Sequence, residues 1–137
     1  MVEKFYLDAC VWIDYYSDRK DCSKDLGEIA FHLLSRLLAS GSRIIVSDFL
    51  LMELEKVCSL DEIRGLTIHF EKMIEKVCVS EEQINFARCI AENRGIPKGD
   101  AVHAIIARDC GAILVSRDKH FQFLTDICTI VKPEELI

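Results

Sequence analysis

The sequence predicts an α/β protein with a central parallel sheet of four or five strands and helices on both faces. Two observations support this prediction. Short runs rich in β-branched residues alternate along the chain with longer segments of helical character. Three of the short runs are continuously apolar rather than alternating, which is typical of parallel strands covered on both sides. The chain has 137 residues, the length of one domain, and we expect residues 1–137 to form it.

Four runs are predicted as strands, and one shorter run is a candidate for a fifth. The four are residues 4–8, 43–47, 112–116 and 127–131, and the candidate is residues 77–79. Strands that are separated by helices return to the sheet through right-handed crossovers, so we expect them to pair in parallel.

Apolar spacing and capping signals predict the helices between these strands. One apolar stripe at helical spacing consists of Ile29, Leu33, Leu34, Leu37 and Leu38. Capping boxes predict helix starts at Ser59 and Ser80, and a further helix should begin near Asp100. Glycines that follow helical runs predict C-terminal caps at Gly41, Gly95 and Gly111.

The charge balance restricts the partners of the chain. Seventeen Lys and Arg residues against 23 Asp and Glu residues give a formal net charge of −6. This balance argues against a broad basic surface for nucleic acid and against binding to an anionic membrane. It remains compatible with acidic residues that hold metal ions, which in turn contact phosphate. No apolar stretch approaches the length of a spanning helix, and Glu3 and Asp8 interrupt any signal peptide, so we expect a cytoplasmic protein.

The seven cysteines do not predict a zinc ribbon or a dithiol redox site. No two of them form a CxxC pair. We expect free thiols that are buried as small apolar side chains in a reducing compartment.

Two acidic residues are predicted to lie at the carboxyl ends of strands. Asp8 closes the first strand, and Asp118 follows the third. Ligands of open parallel sheets bind at this edge. Each residue also has an alternative role: Asp8 could cap the first helix, and Asp118 could serve as a turn or capping residue.

Two further acidic residues are predicted on helices near this edge. Within residues 47–57, Glu53 shares a helical row with Phe49 and Val57, whereas Glu55 is expected to face solvent. An unpaired carboxylate on an apolar row costs several kcal/mol unless a cation compensates it. Asp100 opens a helix whose next residues on that face are alanines, which allow a close approach to the sheet. A role in capping this helix is its alternative.

A shared cation would explain why four carboxylates point to one cleft. Oxygen ligands suit Mg²⁺ or Mn²⁺ rather than Zn²⁺. Such a cluster performs phosphoryl chemistry by activating water and stabilising the leaving oxygen. We therefore predict that Asp8, Glu53, Asp100 and Asp118 are both metal ligands and catalytic residues.

Four segments of the chain, in order, resemble the acidic motifs of the PIN-domain ribonucleases. They are residues 7–14 around Asp8, 47–53 ending at Glu53, 99–104 with Asp100, and 115–121 with Asp118. The resemblance covers essentially the whole chain. In its small, single-domain size, the chain is most similar to the VapC-type toxins of prokaryotic toxin–antitoxin pairs.

The resemblance implies a three-layer α/β/α fold and metal-dependent endonucleolytic cleavage of single-stranded RNA. The four carboxylates would surround one or two Mg²⁺ or Mn²⁺ ions, and Ser116 would line the same site. The usual partner in the family is a small antitoxin that blocks the cleft, and homodimers are common. Arg117 and Lys119 flank the fourth acidic position, where they contact substrate phosphates or simply balance nearby carboxylates.

Two departures from the family pattern leave an alternative open. Ala9 and Cys10 stand where the family often has hydroxyl or amide residues, and His120 stands where it often has an acid. The loss of hydroxyls beside Asp8 favours the alternative of a PIN-like RNA- or protein-binding module with weak catalysis. A receiver domain or a haloacid-dehalogenase-type phosphatase is a third possibility, but the residues after Asp8 match neither pattern.

Overall fold

The computed structural model describes residues 2–17, 20–21 and 24–137, and within them strands and helices alternate. The strands are β1 (Lys4–Leu7), β2 (Lys20–Asp21), β3 (Lys24–Asp25), β4 (Arg43–Ser47), β5 (Ile74–Val77), β6 (Ile113–Val115) and β7 (Ile130–Val131). The helices are α1 (Ala9–Ser17), α2 (Leu26–Ser40), α3 (Asp48–Leu54), α4 (Leu60–Thr67), α5 (Glu81–Arg94) and α6 (Lys98–Cys110). Short 3₁₀ helices cover Ile68–Met73, Lys119–Leu124 and Pro133–Leu136.

A five-stranded sheet in the order β5-β4-β1-β6-β7 forms the centre, and every neighbouring pair is parallel. Successive residues of a strand point to opposite faces. In β1, the consecutive residues Phe5, Tyr6 and Leu7 are at most 4% exposed, so both faces of the sheet are covered. Helices α1 and α2 pack together, as do α5 and α6. The predicted parallel α/β architecture is confirmed.

The strand order creates a switch point beside β1. On one side β1 pairs with β4, with Phe5 opposite Ile44, and on the other with β6, with Tyr6 opposite Leu114. The chain therefore builds one half of the sheet outward from β1 through β4 and β5, and the other half through β6 and β7. The crevice outside the carboxyl ends of β1 and β6 is where such folds bind ligands.

Most of the local signals are confirmed. Strand β4 has the predicted bounds, and both Ser59 and Ser80 form complete capping boxes. The three predicted C-terminal caps adopt the left-handed backbone conformation at Gly41, Gly95 and Gly111.

Two strands have residue ranges that differ from those predicted. The short strand is Ile74–Val77 rather than residues 77–79. As an edge strand it carries exposed charges, and Glu75 pairs with Lys4 at 3.6 Å, so its sequence lacks a continuous apolar run. The last strand begins at Ile130 rather than at residue 127, because Ile127 lies in a turn and donates its backbone N–H to Leu124 (2.9 Å).

The helices also differ in detail from the predictions. Helix α3 ends at Leu54, so Val57 lies beyond it and is 61% exposed, and the predicted row around Glu53 is wrong on that side. Helix α6 begins at Lys98 rather than near Asp100, after Pro97, whose missing N–H is not needed at a helix start. Leu38 is 52% exposed and lies outside the core. The pairing of β2 with β3 is not predicted, because two-residue strands carry no pattern.

The cysteines are less buried than predicted. Cys58 is buried, but Cys78 and Cys89 are exposed, and the remaining described cysteines are intermediate. All six described cysteines are free thiols, and Cys22 lies outside the described residues. Over the described part of the chain, no helix has the length and apolar character that crossing a bilayer requires.

Candidate active site

Asp8 lies directly after β1, and both of its carboxylate oxygens are held. Oδ1 accepts a hydrogen bond from the backbone N–H of Ala9 (2.7 Å). Oδ2 accepts hydrogen bonds from the Ser116 hydroxyl (2.9 Å) and from the Cys10 thiol (3.3 Å). The side chain is thus fixed in a buried position at the switch point of the sheet.

Cys10 takes the place of a hydroxyl donor beside Asp8. Burial, together with the negative charge of Asp8, raises the pKa of its thiol to about 12, so the thiol stays protonated and can donate. Although Cys10 departs from the family pattern, its thiol therefore still donates a hydrogen bond to the Asp8 carboxylate. This bond is weaker than one from a hydroxyl.

Ser116 connects the first and the last of the predicted acidic residues. Its hydroxyl donates to Asp8 and accepts a hydrogen bond from the backbone N–H of Asp118 (3.0 Å). Asp118 Oδ1 accepts the backbone N–H of His120 (2.9 Å) and so caps the following 3₁₀ helix. The capping role considered for Asp118 is real, and it uses only one of the two carboxylate oxygens.

Glu53 ends a chain of buried hydrogen-bonding side chains. Its Oε1 lies 2.5 Å from Nε2 of His103, which is 1% exposed. Nδ1 of His103 lies 2.6 Å from the Tyr6 hydroxyl, and that hydroxyl lies 2.7 Å from Oγ of Ser47. The Ser47 oxygen also accepts the backbone N–H of Leu50 and thereby caps α3.

This chain fixes α3, the helix that carries Glu53, at both ends. A carboxylate can only accept, so Nε2 of His103 is the donor to Glu53. Burial raises the pKa of the Tyr6 phenol well above its ordinary range, so the hydroxyl keeps its proton at neutral pH. His103 is absent from the predicted site. The signal that marks it is its position three residues after Asp100, on the same face of α6.

A glycine allows α6 to approach Glu53. A Cβ atom at Gly99 would lie 3.1 Å from Oε2 of Glu53, closer than an ordinary contact. The Phe49 ring, one turn before Glu53, packs against the imidazole of His103 at 5.2 Å between centroids. The apolar row predicted on this side of Glu53 is therefore present.

Asp100 and Asp118 meet at His120. Nδ1 of His120 lies 2.9 Å from Asp118 Oδ1 and 3.6 Å from Asp100 Oδ2. Oδ2 of Asp100 and Nδ1 of His120 are both buried, and neither makes a hydrogen bond of good geometry. Burial, together with the charges of Asp118 and Asp8, raises the pKa of Asp100 to about 6.

The predicted acidic residues thus form two linked trios, each with one histidine. In each trio the candidate ligand atoms lie within 4.8 Å of one another; the trios are Asp8, Glu53 and His103, and Asp100, Asp118 and His120. Ser116 connects the trios. Clustered carboxylates with an unsatisfied buried oxygen are the environment that a divalent cation compensates, so these residues fit a metal ion.

The two predicted cationic residues have different surroundings. The Arg117 guanidinium forms an ion pair with Asp14, whose side chain is 2% exposed. Lys119 is exposed at the start of the 3₁₀ helix. Both residues line a surface cavity of about 260 Å³ together with Ser116 and Asp118.

Comparisons with known proteins agree on one family. The family model for the PIN domain matches residues 5–125. Among solved structures, VapBC2 from Rickettsia felis bound to a promoter DNA fragment aligns with a TM-score of 0.67 at 19% identity, covering 94% of this chain and 98% of that one. No curated protein sequence matches the chain.

Two further structures align over nearly the whole chain. A toxin–antitoxin complex from Klebsiella pneumoniae gives a TM-score of 0.67 at 17% identity, with 94% of this chain and 97% of that one covered. VapBC-1 from nontypeable Haemophilus influenzae gives a TM-score of 0.66 at 17% identity, with 96% of this chain and 98% of that one covered. At these identities the likeness establishes a common fold.

The buried hydroxyl of Tyr6 should contribute to stability. In Tyr6→Phe, His103 and Ser47 each lose a buried partner, and we expect unfolding free energy to fall by about 1–3 kcal/mol. The control is Tyr15→Phe, because the partly buried Tyr15 hydroxyl makes no hydrogen bond among the described residues. Chemical denaturation measures both changes. An equal, small effect in the two variants would contradict the assigned network.

Asp100 should destabilise the metal-free fold at neutral pH. A raised carboxyl pKa means that the folded chain binds this proton more tightly than the unfolded chain, so stability is lost as pH rises from about 4 to about 6. In chelator at pH 7.5, Asp100→Asn should therefore be more stable by about 1–2 kcal/mol, and the gain should shrink towards pH 4.

Denaturation curves of Asp100→Asn at several pH values test this expectation. Glu55→Gln is the control, since Glu55 is exposed and belongs to neither trio. If the difference in unfolding free energy between Asp100→Asn and the unmodified protein does not change with pH, the charged form of Asp100 is not destabilised by the fold.

Proposed function

The chain belongs to the PIN domain family, and from this premise we propose that it is a metal-dependent endoribonuclease that cleaves phosphodiester bonds of single-stranded RNA. One observation supports the proposal most directly. The structure brings Asp8, Glu53, Asp100 and Asp118 into two linked trios at the switch point of the sheet. Folding alone gives no reason to bring four carboxylates together there, because like negative charges repel one another.

The four carboxylates are the proposed ligands of one or two Mg²⁺ or Mn²⁺ ions. When bound, such an ion acts as a Lewis acid towards phosphate oxygens and lowers the pKa of water. The protein's own contribution is to hold the carboxylates in place. Ser116 and Cys10 orient Asp8, and His103 orients Glu53.

The proposed RNA contacts are few on the protein side. Arg117 and Lys119 line the cavity beside Asp118 and are the candidates for contacts to phosphate. Arg117 reaches a phosphate only in competition with Asp14, its ion-pair partner. With a net charge of −6, RNA binding should be weak, sensitive to salt and dependent on the metal.

We further propose that the protein is the toxin of a toxin–antitoxin pair, that it forms homodimers and that it acts in the cytoplasm. The support for the toxin role is the match in fold and length to a chain of the toxin–antitoxin complex from Klebsiella pneumoniae. A small antitoxin that blocks the acidic cleft would then be its partner. The free thiols of the six described cysteines fit a reducing compartment.

Cleavage of single-stranded RNA is the direct test of the enzyme. With Mn²⁺ the protein should cut a labelled RNA pool, and chelator should abolish the reaction. We expect Asp8→Asn and Glu53→Gln to lower the rate at least about 100-fold, because each removes a ligand charge. Glu55→Gln, an exposed carboxylate two residues along from Glu53, should retain the normal rate.

Two outcomes would reject the nuclease. If no RNA is cut at high protein concentration with either ion, but RNA still binds, the chain is a binding module of the kind that Ala9 suggests. If cleavage persists undiminished in both variants, the activity comes from a contaminant.

Growth arrest tests the toxin role. Induced expression in a bacterial host should stop growth, and expression of Asp8→Asn at the same level should not. Normal growth with a soluble, RNA-cleaving protein would contradict the toxin assignment while leaving the nuclease intact. Sedimentation analysis of the same purified protein tests the homodimer, and a monomer at micromolar concentration would reject it.

A further inference from the structure

We propose that His120 is a metal ligand through Nδ1, and that the site with Asp100 and Asp118 therefore binds a transition-metal ion such as Mn²⁺ in preference to Mg²⁺. The inference rests on the proposed function, which places a divalent ion among the carboxylates. It extends that function by adding a nitrogen to a ligand set that the sequence predicts to contain oxygen alone.

Two buried atoms without hydrogen bonds face each other in this trio. Nδ1 of His120 and Oδ2 of Asp100 are both inaccessible to solvent, and neither makes a hydrogen bond of good geometry within the described residues. Buried polar atoms are normally paired, so both atoms point to a ligand that contacts them. The backbone supports this orientation, since the N–H of His120 donates to Asp118 Oδ1 and fixes the start of the 3₁₀ helix.

The separations fit one ion. Two ligand atoms that each lie about 2.1 Å from an ion are about 3.0 Å apart when the bonds meet at a right angle and about 3.6 Å apart at 120°. Nδ1 of His120 lies 2.9 Å from Asp118 Oδ1 and 3.6 Å from Asp100 Oδ2. An ion between them needs only small movements of the three side chains.

The other histidine near the carboxylates has no nitrogen to offer. Nε2 of His103 donates to Glu53, and Nδ1 is engaged by the Tyr6 hydroxyl. His103 therefore orients a carboxylate, whereas Nδ1 of His120 lies beside two carboxylates without a hydrogen bond of good geometry. The two histidines are predicted to differ in metal binding even though both lie among the acidic residues.

The nitrogen determines the choice of metal. Mg²⁺ binds oxygen ligands and dehydrates reluctantly, whereas imidazole is a good ligand for first-row transition ions. A site of two carboxylates and one imidazole should thus discriminate against Mg²⁺ more strongly than four carboxylates would. Replacing His120 with an acid should narrow this preference for Mn²⁺.

Pulsed electron paramagnetic resonance of the Mn²⁺-loaded full chain tests the ligand directly. A ¹⁴N coupling from a directly bound imidazole is expected in the unmodified protein and in His69→Asn, an exposed histidine away from both trios. The coupling should vanish in His120→Asn and persist in His103→Asn. Loss of the coupling in His103→Asn, with retention in His120→Asn, would overturn the assignment.

Calorimetric titration with Mn²⁺ and with Mg²⁺ tests the metal preference. His120→Asn should weaken Mn²⁺ binding about 10-fold or more and change Mg²⁺ binding less than about 3-fold. His120→Asp, tested as a second variant in case the asparagine variant does not fold, should narrow the difference in affinity between Mn²⁺ and Mg²⁺. Equal losses for both ions in either variant would overturn the proposal.

The resonance and calorimetric measurements together distinguish a failure of this inference from a failure of the proposed function. Tight Mn²⁺ binding without any ¹⁴N coupling would reject His120 as a ligand and leave the carboxylate metal site standing. No binding of either ion by the unmodified protein would reject both.

Discussion

A buried chain of side chains holds the candidate site in register with the sheet. It runs from Ser47, which caps α3, through Tyr6 of the central strand and His103 of α6, to Glu53 near the end of α3. Three elements that are distant in sequence are thus fixed relative to one another through the buried side chains of Ser47, Tyr6 and His103. Because buried polar groups are costly when unpaired, each link depends on the others, and the position of Glu53 is set by the whole fold.

The carboxylate cluster and this hydrogen-bonded chain have opposite effects on the protein. The cluster collects negative charge in one crevice. Burial of Asp100 there, together with the charges of Asp118 and Asp8, raises its pKa, which costs stability in the absence of a cation. The chain from Ser47 to Glu53, with the contacts that Ser116 makes to Asp8, holds these charges together despite their repulsion. Functional sites commonly combine local strain of this kind with a rigid surrounding frame.

Residues with local signals could be predicted, whereas those defined by distant partners could not. Asp8 and Asp118 follow strands whose apolar runs are plain in the sequence. The spacing from Asp100 marks His103 as near the site but does not reveal its partner. His103 contacts Glu53 across 50 positions of the chain and Arg117 contacts Asp14 across 103, and no periodicity reveals such pairs. Strand β5 was displaced in the prediction for a related reason, since an edge strand needs only one apolar face and its charged residues hide the pattern.

If the proposed ion binds, the buried oxygen of Asp100 connects the protein's lifetime to the supply of metal. An ion that binds the folded chain and not the unfolded chain lowers the unfolded population in proportion to its free concentration. Proteases remove unfolded chains continuously, so the abundance of a marginally stable protein follows that population. Under the proposed function, a cell depleted of the ion would therefore lose the protein itself as well as the proposed activity, and the same carboxylates would set how much of the protein a cell keeps.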